Sequence, residues 1–388
     1  MLTRCRPGVL LLLLAVVLFS LPVEAVTLPI KAKSAILMEA QTGEVLYEHN
    51  ADEKLPIASV TKIMTMALAL EALRNQKVTM DDVIVGSYLA KSMGGTQIWL
   101  EEGEQMSLRD MLYAVAVGSA NDCAVAIAEY LAGSVESFVA IMNERAAELG
   151  MTNTHFVNPT GLDAPDHYST ARDVAILSRY ALTLPHLTTL TSTWEYWVRK
   201  GTPQEVWLTT FNKLIKQYPG CDGLKTGYTS KAGYCLSATA SRDGLRLIAV
   251  VLGASTAQNR TDSIKALLDY GFQMYKSEKL VTKGEPLGEV KVLHGLADKV
   301  EIVSGDDLVY PVKRGESLDL TKEIRVPEYV EAPINTGEEL GEIVFKDAAG
   351  NVVAKTPIIA QSGVERAGFG KIVGQTMRQM LKALFFRN

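Results

Sequence analysis

Three short polar strings at distant positions constrain this chain more than any other feature of its sequence. In order, they are Ser59-Val60-Thr61-Lys62, Ser119-Ala120-Asn121 and Lys225-Thr226-Gly227. Each string alone is a weak signal, since such patterns arise by chance and usually mark a helix start, an interhelical turn or a strand end. Together they contain hydroxyl, amine and amide groups of the kinds that nucleophilic catalysis uses, so they are candidates for one catalytic site.

The first string stands at the start of a predicted helix, because apolar residues recur at helical spacing over 63–73. Ser59 and Lys62, at positions i and i+3, would lie on one helix face. A serine hydroxyl is a good nucleophile only when a nearby group takes its proton. Lysine can be that group if burial and a second cation lower its pKa far below about 10.4. We predict Ser59 as nucleophile, Lys62 as general base and Lys225 as the second cation.

The second string falls between two predicted helices. Ser107 is typical of an N-cap, an apolar helix follows it, and Gly118 interrupts that helix. A second apolar helix is predicted from about residue 122 to residue 131. This arrangement would present Ser119 and Asn121 at the tip of a helix-turn-helix.

The third string lies in the first of three predicted strands. It is contained in residues 220–228; residues 233–240 alternate in polarity, and residues 245–253 form a continuous apolar run. An edge strand aligns an extended peptide through backbone hydrogen bonds. Gly227 suits such a strand, because a missing side chain lets a ligand approach the backbone closely.

These strings, together with the stretches 158–163 and 167–173, are similar to those of the serine-type D-Ala-D-Ala carboxypeptidases, low-molecular-weight penicillin-binding proteins of peptidase family S11. The pattern of helices and strands itself indicates an α+β fold. The resemblance adds the topology: a penicillin-recognising serine transpeptidase-like fold, in which an antiparallel sheet carries helices and a helical lobe is inserted at about 80–184.

The resemblance also implies roles in proton transfer and charge stabilisation. Ser119 would relay a proton between Lys62 and the leaving amine. Asn121 would donate its amide to a substrate carbonyl. The backbone N–H groups of Ser59 and Tyr228 would form an oxyanion hole, in which each donor lowers the barrier by roughly 3 kcal/mol.

A second set of residues would bind the terminal carboxylate of the substrate. Lys225 and Thr226 are assigned to it by the resemblance, with Gly227 completing the string. By the same resemblance Arg260 is a further candidate, since it corresponds by context to an arginine that recognises the substrate carboxylate in the family, and a planar guanidinium suits a carboxylate. The alternative is that Arg260 is a solvated arginine before the helix predicted over 262–275.

Other chemistries have little support. The histidines and cysteines form neither H-E-x-x-H nor C-x-x-C, so no metal or other cofactor is expected. His167 is expected to order a loop. A phosphate loop requires glycine directly before its lysine, and Leu224 stands there instead. The net charge of −5 argues against nucleic acid as a partner.

The two ends of the chain predict export and membrane contact. Residues 1–25 combine a basic start, an apolar run at 9–19 and a small residue, Ala25, at the cleavage point, as secretory signal peptides do. Residues 363–388 predict a basic amphipathic helix after a glycine-rich joint, suited to a membrane surface. The family holds a membrane anchor there; a helix packed on the protein's own core is the alternative. We expect an exported protein at the outer face of the cytoplasmic membrane.

The chain between these ends is predicted to form two domains. The catalytic domain covers 26–276 and begins with a hairpin at 34–47. Over 277–362, short alternating strands separated by Gly and Asp turns predict a small all-β domain, a β-sandwich. Cys221 and Cys235 could lie on neighbouring strands, but buried free thiols are the default expectation.

The predicted function is removal of the terminal D-alanine from peptidoglycan stem pentapeptides, with β-lactam antibiotics as covalent inhibitors. A β-lactamase shares the strings, but no E-x-x-x-N string between Asn121 and Lys225 supplies its deacylating glutamate. A DD-endopeptidase or transpeptidase would differ only in the bond cut or the acceptor. A non-catalytic wall-binding or antibiotic-sensing module would need neither Ser59 nor Lys62.

Overall fold

The computed structural model describes residues 27–370, together with residues 373, 374 and 377. The predicted signal peptide at 1–25 and most of the predicted tail helix lie outside the described residues. Within the described part, no single helix is both long and apolar enough to cross a bilayer. One pair of helices, Asn121–Ala132 and Val135–Glu148, bent by 84°, has the required length and composition when taken together.

The described chain begins with a hairpin, followed by the helix that contains Lys62. These elements are β1 (Ser34–Glu39), β2 (Val45–His49) and α1 (Lys62–Arg74), with a 3-10 turn at Ala58–Thr61 before α1. The predicted α-helix therefore begins after Ser59, and Ala58 has a φ of +47°, which an α-helix does not accommodate. Residues i and i+3 eclipse in a 3-10 turn, so Ser59 and Lys62 still face each other.

A mainly helical lobe follows, and it extends beyond the predicted residue 184. Its elements are β3 (Val83–Val85), α2 (Tyr88–Lys91), β4 (Gln105–Ser107), α3 (Leu108–Val117), α4 (Asn121–Ala132), α5 (Val135–Glu148), α6 (Ala171–Ala181), α7 (Leu187–Thr191), β5 (Glu195–Val198), β6 (Val206–Thr209) and α8 (Leu214–Gln217). Ser107 caps α3 by accepting a hydrogen bond from the Asp110 N–H, as predicted. The antiparallel hairpin of β5 and β6 was not predicted, because strands of four residues are too short to show alternation.

Three long strands and a helix complete the catalytic part. They are β7 (Cys221–Thr229), β8 (Gly233–Arg242), β9 (Leu245–Ala254) and α9 (Ala257–Met274). The sheet is antiparallel in the order β2-β1-β9-β8-β7, so β7 lies at an edge, as predicted. The apolar run in β9 is explained by burial on both faces, one against the helical lobe and the other against α9.

Two details of this region refine the sequence predictions. Helix α9 begins five residues earlier than predicted, because Thr256 caps it by accepting the Asn259 N–H; Arg260 is therefore inside the helix. The three described cysteines are buried free thiols, as expected. Cys235 lies opposite Gly227 in the β7–β8 register, whereas Cys221 lies opposite Ala240, too far along the sheet to pair.

An all-β domain begins directly where α9 ends. Its strands are β10 (Tyr275–Val281), β11 (Pro286–Leu293), β12 (Lys299–Ser304), β13 (Leu308–Lys313), β14 (Thr321–Arg325), β15 (Tyr329–Glu331), β16 (Glu339–Lys346) and β17 (Val352–Ala360). They form a six-stranded sheet, β14-β16-β17-β12-β11-β15, and a two-stranded sheet, β10-β13, around one apolar core. The all-β class is confirmed. The two sheets are of very unequal size, which the alternation of residues could not predict.

Candidate active site

Ser59 and Lys62 are in hydrogen-bond contact at the start of α1. Lys62 Nζ lies 3.1 Å from Ser59 Oγ, and 2.6 Å from both the Asn121 side-chain oxygen and the Thr160 carbonyl oxygen. Lys62 is fully buried. Burial and the positive charge of Lys225 hold the pKa of Lys62 well below its ordinary value, as predicted for a lysine that acts as a base.

The three contacts decide how a neutral Lys62 is oriented. A neutral amine has two hydrogens and one lone pair. The Asn121 and Thr160 oxygens can only accept, so they take the two hydrogens, whereas the Ser59 hydroxyl can also donate. The lone pair of Lys62 is therefore left for the Ser59 hydroxyl, which is the arrangement that a general base needs.

The second string is held by the loop that precedes β4. Thr96 donates its hydroxyl to the Ser119 carbonyl oxygen at 2.9 Å, and the Thr96 carbonyl accepts the Asn121 backbone N–H at 2.7 Å. Ser119 is buried, has a φ of +58° and lies between α3 and α4, at the predicted tip. Asn121 donates one amide hydrogen to the Gly94 carbonyl at 2.7 Å. Only its second amide hydrogen can serve a substrate carbonyl.

The third string places the edge strand β7 against the nucleophile. A Cβ atom on Gly227 would lie 2.8 Å from the Ile57 carbonyl oxygen and 3.0 Å from the Ser59 nitrogen. Only glycine therefore allows the strand to come this close to the 3-10 turn. An extended peptide that pairs with the edge of β7 would pass directly beside Ser59.

Two further cations lie beside this strand. Lys225 is buried, and its Nζ donates to the Thr226 carbonyl at 3.0 Å. Burial and the charge of Arg260 lower the pKa of Lys225 to about 7. Arg260 Nε is buried without a hydrogen-bond partner among the described residues, and the guanidinium lies 6.0 Å from the ring centre of Tyr234. Arg260 is thus not a solvated arginine, and its unsatisfied Nε suits a carboxylate.

The loop at 158–161 directs the Thr160 carbonyl towards Lys62. The Asn158 side-chain oxygen accepts the Thr160 N–H, the Thr160 hydroxyl and the Gly161 N–H, at 3.1, 2.8 and 2.7 Å. Gly161 has a φ of +81°, and a Cβ there would lie 1.9 Å from the Ala58 carbonyl oxygen. The loop therefore packs directly on the backbone next to the nucleophile.

His167 orders the same region. Its Nδ1 accepts the Val157 N–H at 3.0 Å, so the ring proton is on Nε2, which donates to the Thr61 hydroxyl at 2.8 Å. Burial lowers the pKa of His167 to about 4, so the ring is neutral at pH 7. These contacts are those of a loop-ordering residue, as predicted. In the described part of the chain, no group of three or more His, Cys, Asp or Glu could hold a metal ion.

A pocket of about 400 Å³ lies in front of the nucleophile. The predicted residues that line it are Ser59, Ser119, Thr226, Gly227, Tyr228 and Arg260. Behind them, Lys62 contacts Ser59, Lys225 contacts Thr226, and Asn121 contacts Lys62. The structure thus brings every predicted site residue together. Sequence reasoning missed the lining residues Thr96, Phe211, Lys213, Tyr234 and Ala257, and the contact of Thr160 with Lys62. Thr160 alone had a signal, since it belongs to the stretch 158–163.

Comparison with known proteins agrees with this geometry. Residues 22–256 match the family model described as D-alanyl-D-alanine carboxypeptidase, peptidase S11, and residues 275–366 match the C-terminal domain of penicillin-binding protein 5. The D-alanyl-D-alanine carboxypeptidase DacF of Bacillus subtilis is 44% identical over 353 residues, which is 91% of this chain and 90% of that protein. DacC of Escherichia coli is 34% identical, over 88% of this chain and 86% of that protein.

Solved structures show the same architecture. Penicillin-binding protein 5 of Haemophilus influenzae has a TM-score of 0.68 at 30% identity, and the match covers 88% of this chain and 100% of that one. Penicillin-binding protein D2 of Listeria monocytogenes, in its ampicillin-bound form, has a TM-score of 0.57 at 35% identity, over 64% and 100% of the two chains. The fold is that of the penicillin-recognising enzymes, and the chain belongs to the serine-type D-alanyl-D-alanine carboxypeptidases of peptidase family S11.

Proposed function

We propose that this enzyme removes the terminal D-alanine from peptidoglycan stem pentapeptides through an acyl-enzyme on Ser59. One observation carries the proposal. A buried Lys62 with a lowered pKa directs its lone pair to Ser59, beside a pocket whose cations can hold a terminal carboxylate. Membership of a D-alanyl-D-alanine carboxypeptidase family supports the same substrate class.

The proposed reaction combines the Lys62–Ser59 contact with the roles that the family resemblance implies for Ser119 and Tyr228. As Lys62 takes the hydroxyl proton, Ser59 Oγ attacks the carbonyl carbon between the two D-alanines. The oxyanion is bound by the backbone N–H groups of Ser59 and Tyr228. The C–N bond then breaks, and the leaving amine receives its proton from Lys62 through Ser119. Water hydrolyses the resulting ester, which releases the shortened peptide and restores the Ser59 hydroxyl.

Release of D-alanine from diacetyl-Lys-D-Ala-D-Ala tests this function directly. We expect steady release that stops after preincubation with penicillin, because the antibiotic acylates the same hydroxyl. β-Lactam binding is supported by the relative from Listeria monocytogenes, which was solved with ampicillin and with cefotaxime. No release, with rapid hydrolysis of a chromogenic cephalosporin, would make the enzyme a β-lactamase. Release only from cross-linked peptide would make it an endopeptidase.

The proposed location is the outer face of the cytoplasmic membrane, after export by the signal peptide at 1–25. The tail at 363–388 supports it by composition. From residue 371 onward it contains four basic residues, no acidic residue, and apolar residues at helical spacing: Lys371, Arg378, Lys382 and Arg387 are the basic ones. Such a helix binds an interface by its apolar face and by attraction to anionic lipid.

Truncation after Gly370 will release the protein from membranes without changing its chemistry. Each basic residue near an anionic surface contributes roughly 1 kcal/mol, and the catalytic residues lie far upstream in the chain. The intact protein is expected to sediment with anionic vesicles and to be partly released by salt, whereas the truncated form stays in solution with unchanged D-alanine release. Vesicles of neutral lipid serve as the control. If the truncated protein still sediments, the membrane contact lies elsewhere; if it unfolds more easily, the helix packs on the protein itself.

A further inference from the structure

A second cavity, of about 770 Å³, lies between β4 and the hairpin of β5 and β6. It has no part in the chemistry at Ser59. Polar residues outnumber apolar ones in its lining and include Glu104, Gln105, Arg199, Gln204 and Glu205, while apolar atoms form the larger part of its surface. Trp99 is one of the apolar lining residues. Thr96, three residues before Trp99, lines the catalytic pocket. Because a chain spans at most about 3.5 Å per residue, the Trp99 backbone lies within about 10 Å of the catalytic pocket wall.

Trp99 is presented to solvent by a backbone that is held firmly in an unfavourable conformation. Its φ is +57°, and 65% of the residue is exposed, while Ile98 and Leu100 on either side are fully buried. Asp122 accepts the N–H groups of these two neighbours, at 2.9 and 3.0 Å. A large side chain in this backbone region needs such support, and strained residues of this kind concentrate at functional sites.

The opposite side of the same turn is held by Arg199. Its guanidinium donates to the Ile98 and Trp99 carbonyl oxygens at 2.9 and 3.3 Å. Arg199 is itself fixed by a two-point contact with Glu104, at 2.5 and 3.1 Å. The cavity wall and its aromatic residue are therefore formed before any ligand arrives, which lowers the entropic cost of binding.

We propose that this cavity binds the glycan strand of peptidoglycan, with Trp99 as the stacking surface for a sugar ring. The chemistry of the wall carries the assignment: an indole face suits the C–H face of a pyranose, and amide and carboxylate groups around it suit hydroxyl and acetamido groups. The inference rests on the proposed function, since the stem peptide at Ser59 is attached to such a glycan. With such a site, the enzyme recognises the glycan strand as well as the stem peptide.

Binding of peptide-free glycan strands tests the proposal independently of catalysis. The Ser59→Ala variant is the background, so that no turnover occurs. We expect it to bind the strands, and we expect the added substitution Trp99→Ala to weaken binding about tenfold, which corresponds to about 1.4 kcal/mol of binding free energy. Trp99→Phe should recover part of the loss. Trp207→Ala is the control, because Trp207 is 54% exposed on β6 and does not line the cavity.

Kinetics on two substrates complete the test. With an intact Ser59, Trp99→Ala should raise KM about tenfold for a pentapeptide attached to a glycan strand and leave the free diacetyl tripeptide unchanged. Gln204→Ala removes a side-chain amide from the wall but keeps the Gln204 backbone carbonyl that accepts from Arg199, so it should show the same pattern more weakly. The inference would be overturned if neither Trp99→Ala nor Gln204→Ala changed glycan binding or the KM for the glycan-attached pentapeptide. The inference would also be overturned if only a free diamino acid competed for the cavity, because the acidic wall residues would then be binding a cation. If the unmodified enzyme released D-alanine from neither substrate, the proposed function itself would be refuted.

Discussion

Ser59→Ala will abolish both covalent labelling by penicillin and release of D-alanine. The Ser59 hydroxyl donates its hydrogen bond to the lone pair of neutral Lys62, and it lines the pocket that the substrate would enter. Without Oγ no ester can form, and loss of a serine nucleophile typically lowers kcat by a factor on the order of 10⁶. The substitution removes one atom from a turn whose backbone contacts remain, so the variant is expected to fold. Gel fluorescence with a labelled penicillin and D-alanine release give the two measurements.

Ser119→Ala is the matched control, because it removes the other serine hydroxyl of the pocket. By the proposed mechanism it slows proton transfer to the leaving group but keeps the nucleophile, so slow labelling of Ser59 should persist. Mass spectrometry of the labelled protein should place the adduct on Ser59. An adduct on another residue, or labelling of Ser59→Ala, would show that the nucleophile is misassigned.

The parts of the site that could be predicted are those encoded by short local patterns. Ser59 and Lys62 follow from their spacing in one turn, and Ser119 follows from the glycine that interrupts a helix. Gly227 was predicted from the close approach of a ligand to an edge strand, and the structure adds that its missing side chain lets β7 approach the backbone of Ile57 and Ser59. Such patterns depend on chain geometry over a few residues. The distances between the three strings, by contrast, required the resemblance, because periodicity says nothing about which elements pair.

The parts that could not be predicted depend on contacts between distant segments. The Thr160 carbonyl reaches Lys62 across 98 positions, and Arg199 reaches the Trp99 carbonyl across 100. Neither contact requires a distinctive residue, since every residue has a carbonyl and arginine is common on surfaces. In the sequence, Trp99 stands between Ile98 and Leu100, and nothing in this apolar stretch indicates which side chain is exposed. Only the folded backbone shows that the indole points outward.

Lys62→Arg will lower the acylation rate by at least two orders of magnitude, within the range that loss of a general base produces. Arginine keeps the positive charge but has no accessible neutral form, so it cannot take the Ser59 proton. Because arginine is larger and Lys62 is fully buried, Lys62→Met provides a second variant that fits the site without a base. Stopped-flow acylation by a penicillin gives the rate, and thermal unfolding confirms that each variant is folded.

The pH dependence separates the base role from a merely structural one. Burial and Lys225 lower the pKa of Lys62, so the wild-type acylation rate should rise as pH increases through that pKa and fall below it as the amine takes a proton. On the alkaline side, Lys225 has a pKa of about 7 in the free enzyme, and its loss of charge should reduce kcat/KM above that pH by weakening carboxylate binding. A bound carboxylate stabilises the charged Lys225, so kcat should be less affected than kcat/KM. In Lys62→Met the acid limb should disappear, since no amine remains to titrate. Lys62 would be excluded as the base if Lys62→Met retained the wild-type acid limb, or if Lys62→Arg were acylated at the wild-type rate. The Lys62 amine would then have only a positioning role.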